Sequence, residues 1–205
     1  MKKNFISIVT PCFNEEPNVE KLYLEVSAIM KSLPYSYEYI FIDNCSTDTT
    51  VNIIKKLAKK DKNLKLIINA RNFGHIRSPQ HAIYQSTGDA CILLHADLQD
   101  PPSLLKEFIT QWEAGAKIVL GQKVDSEENK LMFHLRKKYY SLMNKISETQ
   151  IIENCTGFGL MDREVVNIMR KMNDPNPYLR GLLVEIGFPI TLVPYKQRLR
   201  YGGRT

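Results

Sequence analysis

Three polar residues spaced two apart follow a short apolar run near the middle of the chain. Residues 91–94 form the run, which is typical of a buried strand, and His95, Asp97 and Gln99 come directly after it. Two prolines at positions 101 and 102 can then open a helix at its first turn. Because ligands of an open α/β sheet bind at the carboxyl ends of its strands, the three polar side chains are candidate ligands for a cation that holds an anionic substrate.

Acidic residues also end two predicted strands that precede this segment. Glu15 follows the strand at residues 5–10, and Asp43 ends the strand at residues 38–43. Carboxylates at these places can accept hydrogen bonds from the N–H groups of a nucleobase and from ribose hydroxyls. An acid after a strand can also mark only a helix start, so the pattern alone allows a nucleotide site or two ordinary turns.

The motifs and their order resemble those of family 2 glycosyltransferases with the GT-A fold, and most of all the polyprenyl-phosphate (dolichol-phosphate type) sugar synthases. Residues 95–102 are similar to the family's metal-binding Asp-Ala-Asp-Leu-Gln-x-Pro-Pro, with His95 in place of the first Asp. Residues 11–15 are similar to Pro-x-Tyr-Asn-Glu, and residues 43–48 to Asp-Asp-Gly-Ser-Thr-Asp. The resemblance extends over nearly the whole chain and implies the GT-A fold.

The resemblance implies that these turns bind a nucleotide sugar. Asn44 and Cys45 depart from the family's acid and glycine, which leaves the choice between purine and pyrimidine open. Asp89 is matched through the Gly-Asp pair before the metal strand, although it can equally be a turn residue. The implied nucleotide-binding residues are Pro11, Phe13, Glu15, Asp43, Arg71, Asn72, Gly74 and Asp89.

The resemblance also implies a divalent metal that Asp97 binds with help from Gln99, and it makes these two the catalytic residues. Their oxygen ligands suit Mg²⁺ or Mn²⁺, either of which acts as a Lewis acid on a departing nucleoside diphosphate. His95 is the third candidate ligand, and imidazole binds Mn²⁺ better than Mg²⁺. We therefore predict a preference for Mn²⁺ or a His95 that stands away from the ion. For the segment taken alone, a solvated strand-to-helix turn is the simpler interpretation.

The acceptor side lacks the base that the family uses. Residues 156–163 are similar to Gly-Asp-Phe-Arg-Leu-Met-Asp-Arg, but Gly157 and Gly159 stand at the family's Asp and Arg. A hydroxyl acceptor would need a general base, for which Glu153 or Asp162 remain candidates, whereas a phosphate monoester is already mostly ionised at neutral pH. The missing base therefore favours a polyprenyl phosphate acceptor, and the resemblance implies a transfer that inverts the anomeric centre.

The end of the chain carries the arginines that the resemblance offers for the acceptor phosphate. Residues 178–181, 195–198 and 200–203 are similar to the closing segment of the synthases. Arg198, Arg200 and Arg204 can bind a phosphate through forked donors, although a frayed basic terminus explains any single one equally well. The synthases continue into membrane segments beyond this point, so we expect a partial chain or anchorage by another subunit.

Length and composition restrict the class of protein. The 205 residues suffice for one hydrophobic core, and the net charge of +6 favours an acidic partner such as a nucleotide, a lipid phosphate or an anionic membrane surface. Nucleic acid is disfavoured because the basic residues lack interleaved aromatic residues. Four widely spaced cysteines indicate a reducing compartment.

The sequence predicts a peripheral membrane protein. No segment approaches the ~20 apolar residues of a membrane span, and the N-terminal apolar run is too short for a secretion signal. We therefore expect a chain that does not cross a bilayer by itself. The resemblance to polyprenyl-phosphate sugar synthases implies a place at the cytoplasmic face of a membrane, and a homo-oligomer is left open. Residues 131–146 have an apolar stripe with basic residues on the other faces, which is typical of a solvated helix packed on one side and less often of a membrane-surface helix.

Alternating strands and helices indicate an α/β fold. Strands are predicted at residues 5–10, 38–43, 64–69, 91–94 and 117–120, with helices between them, and Ser46 or Thr47 is the expected cap of the second helix. Such βαβ units build a doubly wound, mainly parallel, Rossmann-like sheet with flanking helices. We predict a single domain, residues 1–205, with a nucleotide-binding part up to about residue 121 and an acceptor-side part over residues 122–205.

Two other functions remain open at this point. A transferase that extends a saccharide would use the same fold but would need a base. An inactive scaffold that binds a nucleotide sugar would explain His95, Gly157 and Gly159 as degenerate positions. Metal-dependent transfer from a labelled nucleotide sugar distinguishes an enzyme from a scaffold.

Overall fold

A computed structural model describes residues 5–125, 152–174 and 178–203. The strands in these ranges are β1 (Phe5–Cys12), β2 (Ser36–Asp43), β3 (Leu64–Ile68), β4 (Ala90–Leu93), β5 (Ile118–Asp125), β6 (Cys155–Asp162) and β7 (Ile190–Lys196). The helices are α1 (Val19–Lys31), α2 (Thr50–Ala58), α3 (Gly74–Gln85), α4 (Leu105–Glu113), α5 (Arg163–Met172) and α6 (Leu179–Glu185), with a 3₁₀ turn at Pro102–Leu104. The predicted helix at residues 131–146 and Arg204 lie outside the described residues.

The strands form one sheet in the order β3-β2-β1-β4-β6-β5-β7. Neighbours are parallel from β3 to β4 and between β5 and β7, while β6 is antiparallel to both β4 and β5. The predicted α/β class and mainly parallel sheet are confirmed. The sequence patterns did not predict β6 and β7, which follow residue 122 and yet share a sheet with β1–β5.

Helices cover both faces of the sheet. One apolar cluster packs α1, α2 and α4 against one face, and its largest fully buried side chain is Trp112. A second cluster packs α3 and α5 against the opposite face. The central strands are buried on both faces, which explains why β1, β2 and β4 read as nearly continuous apolar runs. In the described residues, no helix has the length and apolar character needed to span a bilayer.

The second helix begins later than the sequence suggests. Thr50 is its first residue, and the backbone N–H of Thr50 donates to Asp48 Oδ1 (2.9 Å). Ser46 Oγ instead accepts from the backbone N–H of Asn14 (2.8 Å), which ties the turn after β2 to the turn after β1. The prediction of Ser46 or Thr47 as the cap was therefore wrong, because this longer turn uses its hydroxyl groups to join two strand ends.

A buried carboxylate fixes the far end of β6. Asp162 accepts from Trp112 Nε1 (2.7 Å), from Lys117 Nζ (3.1 Å) and from the backbone N–H of Glu164 (3.0 Å), so it also caps α5. Although burial opposes ionisation, these hydrogen bonds hold the pKa of Asp162 below its usual range. Since Asp162 pairs with Ala90 at the start of β4, it lies at the edge of the sheet away from the His95 turn.

This arrangement predicts a pH dependence of stability. A carboxyl group whose pKa is lowered by folding stabilises the folded state above its unfolded pKa of about 3.9, and that contribution is lost as the pH falls through the lower folded value. We expect the free energy of unfolding of the wild type to fall more steeply below pH 4 than that of Asp162→Asn. Urea unfolding at several pH values measures this difference, and equal slopes would contradict it.

Candidate functional site

A cavity of about 660 Å³ opens where β1, β2 and β4 end, a size typical of small-molecule sites. Leu93 of β4 pairs with Gly159 of the antiparallel β6, so the amino end of β6 lies beside the carboxyl end of β4. The chain thus brings residues far apart in sequence to one edge. The lining includes Pro11, Phe13, Glu15, Asn44, Asn72, Gly74, His75, Ile76, Gln80, His95, Asp97, Thr156, Tyr178 and Arg180.

Asn44 organises the wall formed by the turn after β2 and the loop before α3. Its side-chain amide donates to Asn72 Oδ1 (2.8 Å) and to the carbonyl of Gly74 (3.3 Å), and its Oδ1 accepts from the backbone N–H of Phe73 (2.9 Å). The adjacent Asp43 is buried, and its Oδ2 accepts from the backbone N–H of Ser46 (2.9 Å). Asp43 thus holds the turn from behind the cavity lining, while Asn44 lies in that lining.

Glu15 lines the cavity and is already paired. Arg200 Nη2 donates to its Oε1 (2.6 Å), and Asn18 Nδ2 donates to its Oε2 (2.5 Å). Burial raises the pKa of Glu15, although both hydrogen bonds act in the opposite direction. Asn18 also donates to the carbonyl of Gly202 (3.1 Å), so the segment after β7 is tied down beside the turn after β1.

His95 is held by a buried carboxylate. Its Nδ1 lies 2.7 Å from Asp100 Oδ2, and the hydroxyl of Tyr195 donates to Asp100 Oδ1. Burial raises the pKa of Asp100, but the hydrogen bond and charge of His95 lower it below its usual range. Asp100 is therefore an ionised acceptor for an N–H at Nδ1 of His95. In the neutral imidazole, which is the form that binds metals, the lone pair is then on Nε2.

The turn after β4 fits a cation that shares its ligands with a bound anion. Asp97 Oδ1 accepts from the backbone N–H of Gln99 (3.1 Å), which orients the carboxylate and leaves Oδ2 available. Within the described ranges, no three His, Cys, Asp or Glu side chains come together as a complete metal cage. Mg²⁺ sites in proteins commonly use one or two carboxylates together with substrate phosphates. Asp97 and His95 can supply the protein ligands of such a site.

Two glycines shape the wall formed by β6. Gly157 is buried, has φ of +94° and packs against Leu179 and Leu93, so its backbone favours glycine. A Cβ on Gly159 would lie 2.2 Å from the carbonyl oxygen of Val119, so no side chain fits there. At the two positions where this chain departs from the family's Asp and Arg, glycine is therefore favoured by the backbone conformation at Gly157 and required by close packing at Gly159.

Some predicted site residues do not join the cavity lining. Asp89 lies at the start of β4, at the opposite edge of the sheet, where its Oδ2 accepts from the backbone N–H of Phe5 (3.1 Å). Arg71 is exposed and lies over the ring of Phe73 (4.1 Å to the ring centroid). Gln99 is also absent from the lining. Its backbone carbonyl accepts a hydrogen bond from the backbone N–H of Arg198 (2.9 Å).

The two candidate bases are also outside the lining. Asp162 is at the opposite edge of the sheet, and Glu153 is exposed, with its carbonyl accepting from Gln122 Nε2 (3.3 Å). The distance along β6 from Gly157 to Asp162 is about 17 Å at 3.3–3.4 Å per residue. Asp162 is therefore excluded as the base of this cavity.

The lining includes residues for which the sequence patterns predicted no role. Thr156, Tyr178 and Arg180 form the side next to β6, and Asp100 positions His95 from behind. The similarity of residues 178–181 to a closing segment pointed to this stretch without assigning Arg180 a ligand. For Asp100 the sequence offers only an acid five residues after His95. This pattern is too common to identify a positioning residue.

Comparison with known proteins places the chain among glycosyltransferases. The model of the family described as glycosyl transferase family 2 matches residues 7–169. The chain is 36% identical over 199 residues to a bactoprenol glucosyl transferase of Shigella phage SfX, covering 97% of this chain and 65% of that protein. It is 31% identical over 200 residues to the uncharacterized glycosyltransferase YkcC of Bacillus subtilis, covering 97% and 62%. The chain thus spans less than two thirds of these relatives.

Solved structures show the same fold at low sequence identity. Glucosyl-3-phosphoglycerate synthase from Mycobacterium tuberculosis, in complex with Mn²⁺, UDP and phosphoglyceric acid, is 19% identical with a TM-score of 0.64, covering 98% of this chain and 72% of that one. The mannosyltransferase PcManGT from Pyrobaculum calidifontis, in complex with GDP-Man and Mn²⁺, is 17% identical with a TM-score of 0.60, covering 92% and 54%. These similarities confirm the predicted GT-A fold.

Proposed function

The chain belongs to glycosyl transferase family 2, and from this we propose that it transfers a sugar from a nucleoside-diphosphate sugar to a polyprenyl phosphate. The relatives named as bactoprenol glucosyl transferases support a polyprenyl acceptor. The neighbours that hold UDP or GDP-Man support a nucleotide-sugar donor. The remaining support comes from the cavity.

The charged residues of the cavity lining support a phosphate monoester as the acceptor. Among the described residues, Asp97 and Glu15 are the carboxylates of the lining, and Glu15 is paired with Arg200 and Asn18. Thr156 and Arg180 form the side next to β6, where an acceptor would approach, and Gly157 offers no carboxylate there. A phosphate monoester brings its own ionised oxygen, so it needs no base from this wall.

The donor occupies the turns after β1 and β2 in this proposal. Pro11 and Phe13 contact the base, with the Phe13 ring 44% exposed and therefore available for stacking. Asn72 and Gly74 border the ribose, in the loop that Asn44 holds in place. Asp43 supports this wall through Ser46.

Asp97 and His95 would hold a divalent cation, Mn²⁺ or Mg²⁺, which supplies Lewis-acid stabilisation of the departing diphosphate when it is bound. Gln99 orients Asp97 through its backbone N–H. Asp100 orients His95. Preorganised charge of this kind is effective because little reorganisation is needed when the diphosphate charge develops.

The reaction is a single displacement at the anomeric carbon. An oxygen of the acceptor phosphate forms a bond to that carbon as its bond to the donor diphosphate breaks, and the electron pair leaves with the nucleoside diphosphate. Attack from the face opposite the leaving group inverts the configuration. No proton has to be removed from an ionised acceptor, so the described residues need only bind and orient the two substrates.

The direct test is transfer of labelled sugar in the presence of Mn²⁺. UDP- and GDP-sugars are supplied with undecaprenyl phosphate in detergent, and the lipid product is separated from the donor. We expect transfer to the phosphate, none to undecaprenol or a free saccharide, and loss of transfer with EDTA. Transfer to a saccharide alone, or binding of donors without any transfer, would contradict the proposal.

The acceptor implies where the protein works. We propose that it acts at the cytoplasmic face of a membrane, since its donor is a soluble nucleotide sugar and its acceptor is a lipid. The relatives that support this acceptor are longer than the present chain.

We predict that His95→Asp lowers the preference for Mn²⁺ over Mg²⁺. An imidazole nitrogen suits Mn²⁺ better than Mg²⁺, whereas a second carboxylate serves both ions. The ratio of the initial rates with Mn²⁺ and with Mg²⁺ should fall on the order of tenfold, the size of effect that ligand-shell changes commonly have. Steady-state assays with each metal measure this ratio.

Tyr195→Phe is the matched control for His95→Asp. It removes the other hydrogen bond to Asp100 and leaves the contact between Asp100 and His95 in place. The rate ratio should therefore stay close to that of the wild type. Equal turnover with Mg²⁺ and Mn²⁺ in both wild type and His95→Asp would show that His95 does not contact the ion.

A further inference from the structure

Arg180 is the one lysine or arginine that the described residues contribute to the cavity lining. Its Nη1 donates to the carbonyl of Cys155 (2.7 Å), at the amino end of β6. Among the described residues no carboxylate forms an ion pair with it. A guanidinium has five N–H donors, so this single hydrogen bond fixes its position and leaves most of its donors for a ligand.

The order of strands places Arg180 relative to the donor. Along this edge of the sheet, the turns after β2 and β1 lie next to the turn after β4, which contains Asp97. The amino end of β6 lies on the other side of that turn. Neighbouring strands lie about 4.8 Å apart. In the proposed position of the donor, the base lies on the turns after β1 and β2, and the diphosphate lies at Asp97. The side of the cavity near Arg180 is then left for the second substrate.

The tail arginines are engaged elsewhere. Arg200 donates to Glu15 (2.6 Å) and to the carbonyl of Gly202 (2.7 Å), and Arg198 Nη1 lies 3.8 Å from a carboxylate oxygen of Glu25. Neither side chain is part of the cavity lining. Of these three arginines, Arg180 is thus the one that reaches the cavity and has no acidic partner in the described part of the chain.

Apolar side chains accompany Arg180 at the same cavity. Tyr178 is 46% exposed and its ring lies 5.2 Å from the guanidinium carbon of Arg180, while Ile76 is 43% exposed on α3. Both belong to the cavity lining. A cation next to exposed apolar groups suits a ligand that has a phosphate at one end and a hydrocarbon chain beyond it.

We propose that Arg180, with Thr156 and Tyr178, forms the subsite that binds the phosphate of the acceptor and directs its first hydrocarbon units along Tyr178 and Ile76. This assignment rests on the proposed function for the identity of the acceptor. The arginine fork holds two phosphate oxygens and leaves the third to face the anomeric carbon. Arg180 is thus a binding and positioning residue for the nucleophile.

Direct binding tests the subsite without requiring turnover. Titration calorimetry with farnesyl phosphate should show binding to the wild type and at least tenfold weaker binding to Arg180→Gln, because one charge-assisted hydrogen bond is commonly worth a factor of ten or more. Farnesol should bind weakly to both proteins. The dissociation constant of UDP with Mn²⁺ should change by less than about twofold, the size expected for a residue that does not contact it.

Arg198→Gln is the comparison variant, since it removes the same charge from the tail. It should weaken farnesyl phosphate binding much less than Arg180→Gln does. An equal or larger effect of Arg198→Gln would overturn the assignment, as would unchanged binding in Arg180→Gln. Weaker binding of UDP to Arg180→Gln would also overturn it, because Arg180 would then hold the donor diphosphate.

A further variant covers the case in which Arg180→Gln fails to fold, which thermal melting would reveal. Arg180→Lys keeps the charge and loses the fork, so it should bind farnesyl phosphate less tightly than the wild type while its binding of UDP is retained. Wild-type affinity of Arg180→Lys for farnesyl phosphate would contradict the role of the fork.

The same measurements separate this proposal from the proposed function. Binding of farnesyl phosphate through Arg180 without any sugar transfer would support the subsite and contradict the proposed function. Transfer to polyprenyl phosphate with an unchanged acceptor KM in Arg180→Gln would support the proposed function and contradict the subsite.

Discussion

Asp97→Asn is expected to lower the rate of sugar transfer by a factor on the order of 100 or more. The neutral amide binds a divalent cation less strongly, and stabilisation of leaving-group charge by a metal is worth several kcal/mol, with about 1.4 kcal/mol for each factor of ten. Asp97 is only partly buried, and its carboxylate accepts from the N–H of Gln99, so the amide should cost little stability. Initial rates at saturating donor and Mn²⁺ measure the effect.

Asp89→Asn is the matched control, because it makes the same change at the other end of β4. Asp89 lies outside the cavity and accepts from the N–H of Phe5, so the rate should stay within about twofold of the wild type. Equal losses in both variants would point to general charge or stability and not to the metal site. If Asp97→Asn turned over every donor at the wild-type rate, both the proposed function and the proposed metal site would be contradicted.

Local patterns were sufficient to predict the five strands β1–β5 in the first part of the chain. The strands β1, β2 and β4 lie in the middle of the sheet with both faces covered, and such strands are apolar along most of their length. The turn residues that follow them are close in sequence to the strands. Strand pattern and turn position therefore place His95 and Asp97 at one edge of the sheet, whereas Pro11 and Phe13 were predicted from the family resemblance.

The strands β6 and β7 lack such a pattern. β6 contains Gly157 and Gly159, and glycine weakens a strand unless a neighbouring backbone comes close, which is what Val119 does here. β7 contains Pro194, which is suited to an edge position such as the one β7 occupies. β6 is stabilised by pairing with β4 and β5, and β7 by pairing with β5. Such pairing is a tertiary property that local sequence patterns do not show.

The acceptor side of the site was hard to predict for the same reason. Arg180 reaches the cavity because α6 docks on the amino end of β6, and β6 in turn runs antiparallel beside β4. Arg200 is 185 positions away from its partner Glu15 along the chain. A motif shows which arginines are present, but their partners depend on how the last strands return to the sheet.

Gly159→Ala should destabilise the fold more than any other substitution proposed above. Its Cβ would lie 2.2 Å from the carbonyl oxygen of Val119 and 3.0 Å from the Cα of Leu120, and backbone atoms in a paired strand cannot move aside as a side chain can. Forcing atoms into a filled core costs about 1–3 kcal/mol or more, and the upper end applies here. For a chain of this size, about 3 kcal/mol lowers Tm by roughly 6–12 °C. Thermal melting of the two proteins measures this difference.

Gly115→Ala separates steric overlap from backbone strain. Gly115 has φ of +107°, and a Cβ added there would meet no atom within 4 Å, so alanine at this position encounters strain alone, at a cost of about 1–2 kcal/mol. The loss of stability should therefore be clearly smaller than in Gly159→Ala. Equal losses, or a stable Gly159→Ala, would mean that β5 and β6 are not in close contact at Leu120 and Gly159. The pairing of Gly159 with Leu93 of β4 separately places the amino end of β6, with Thr156 and Arg180, beside the metal turn.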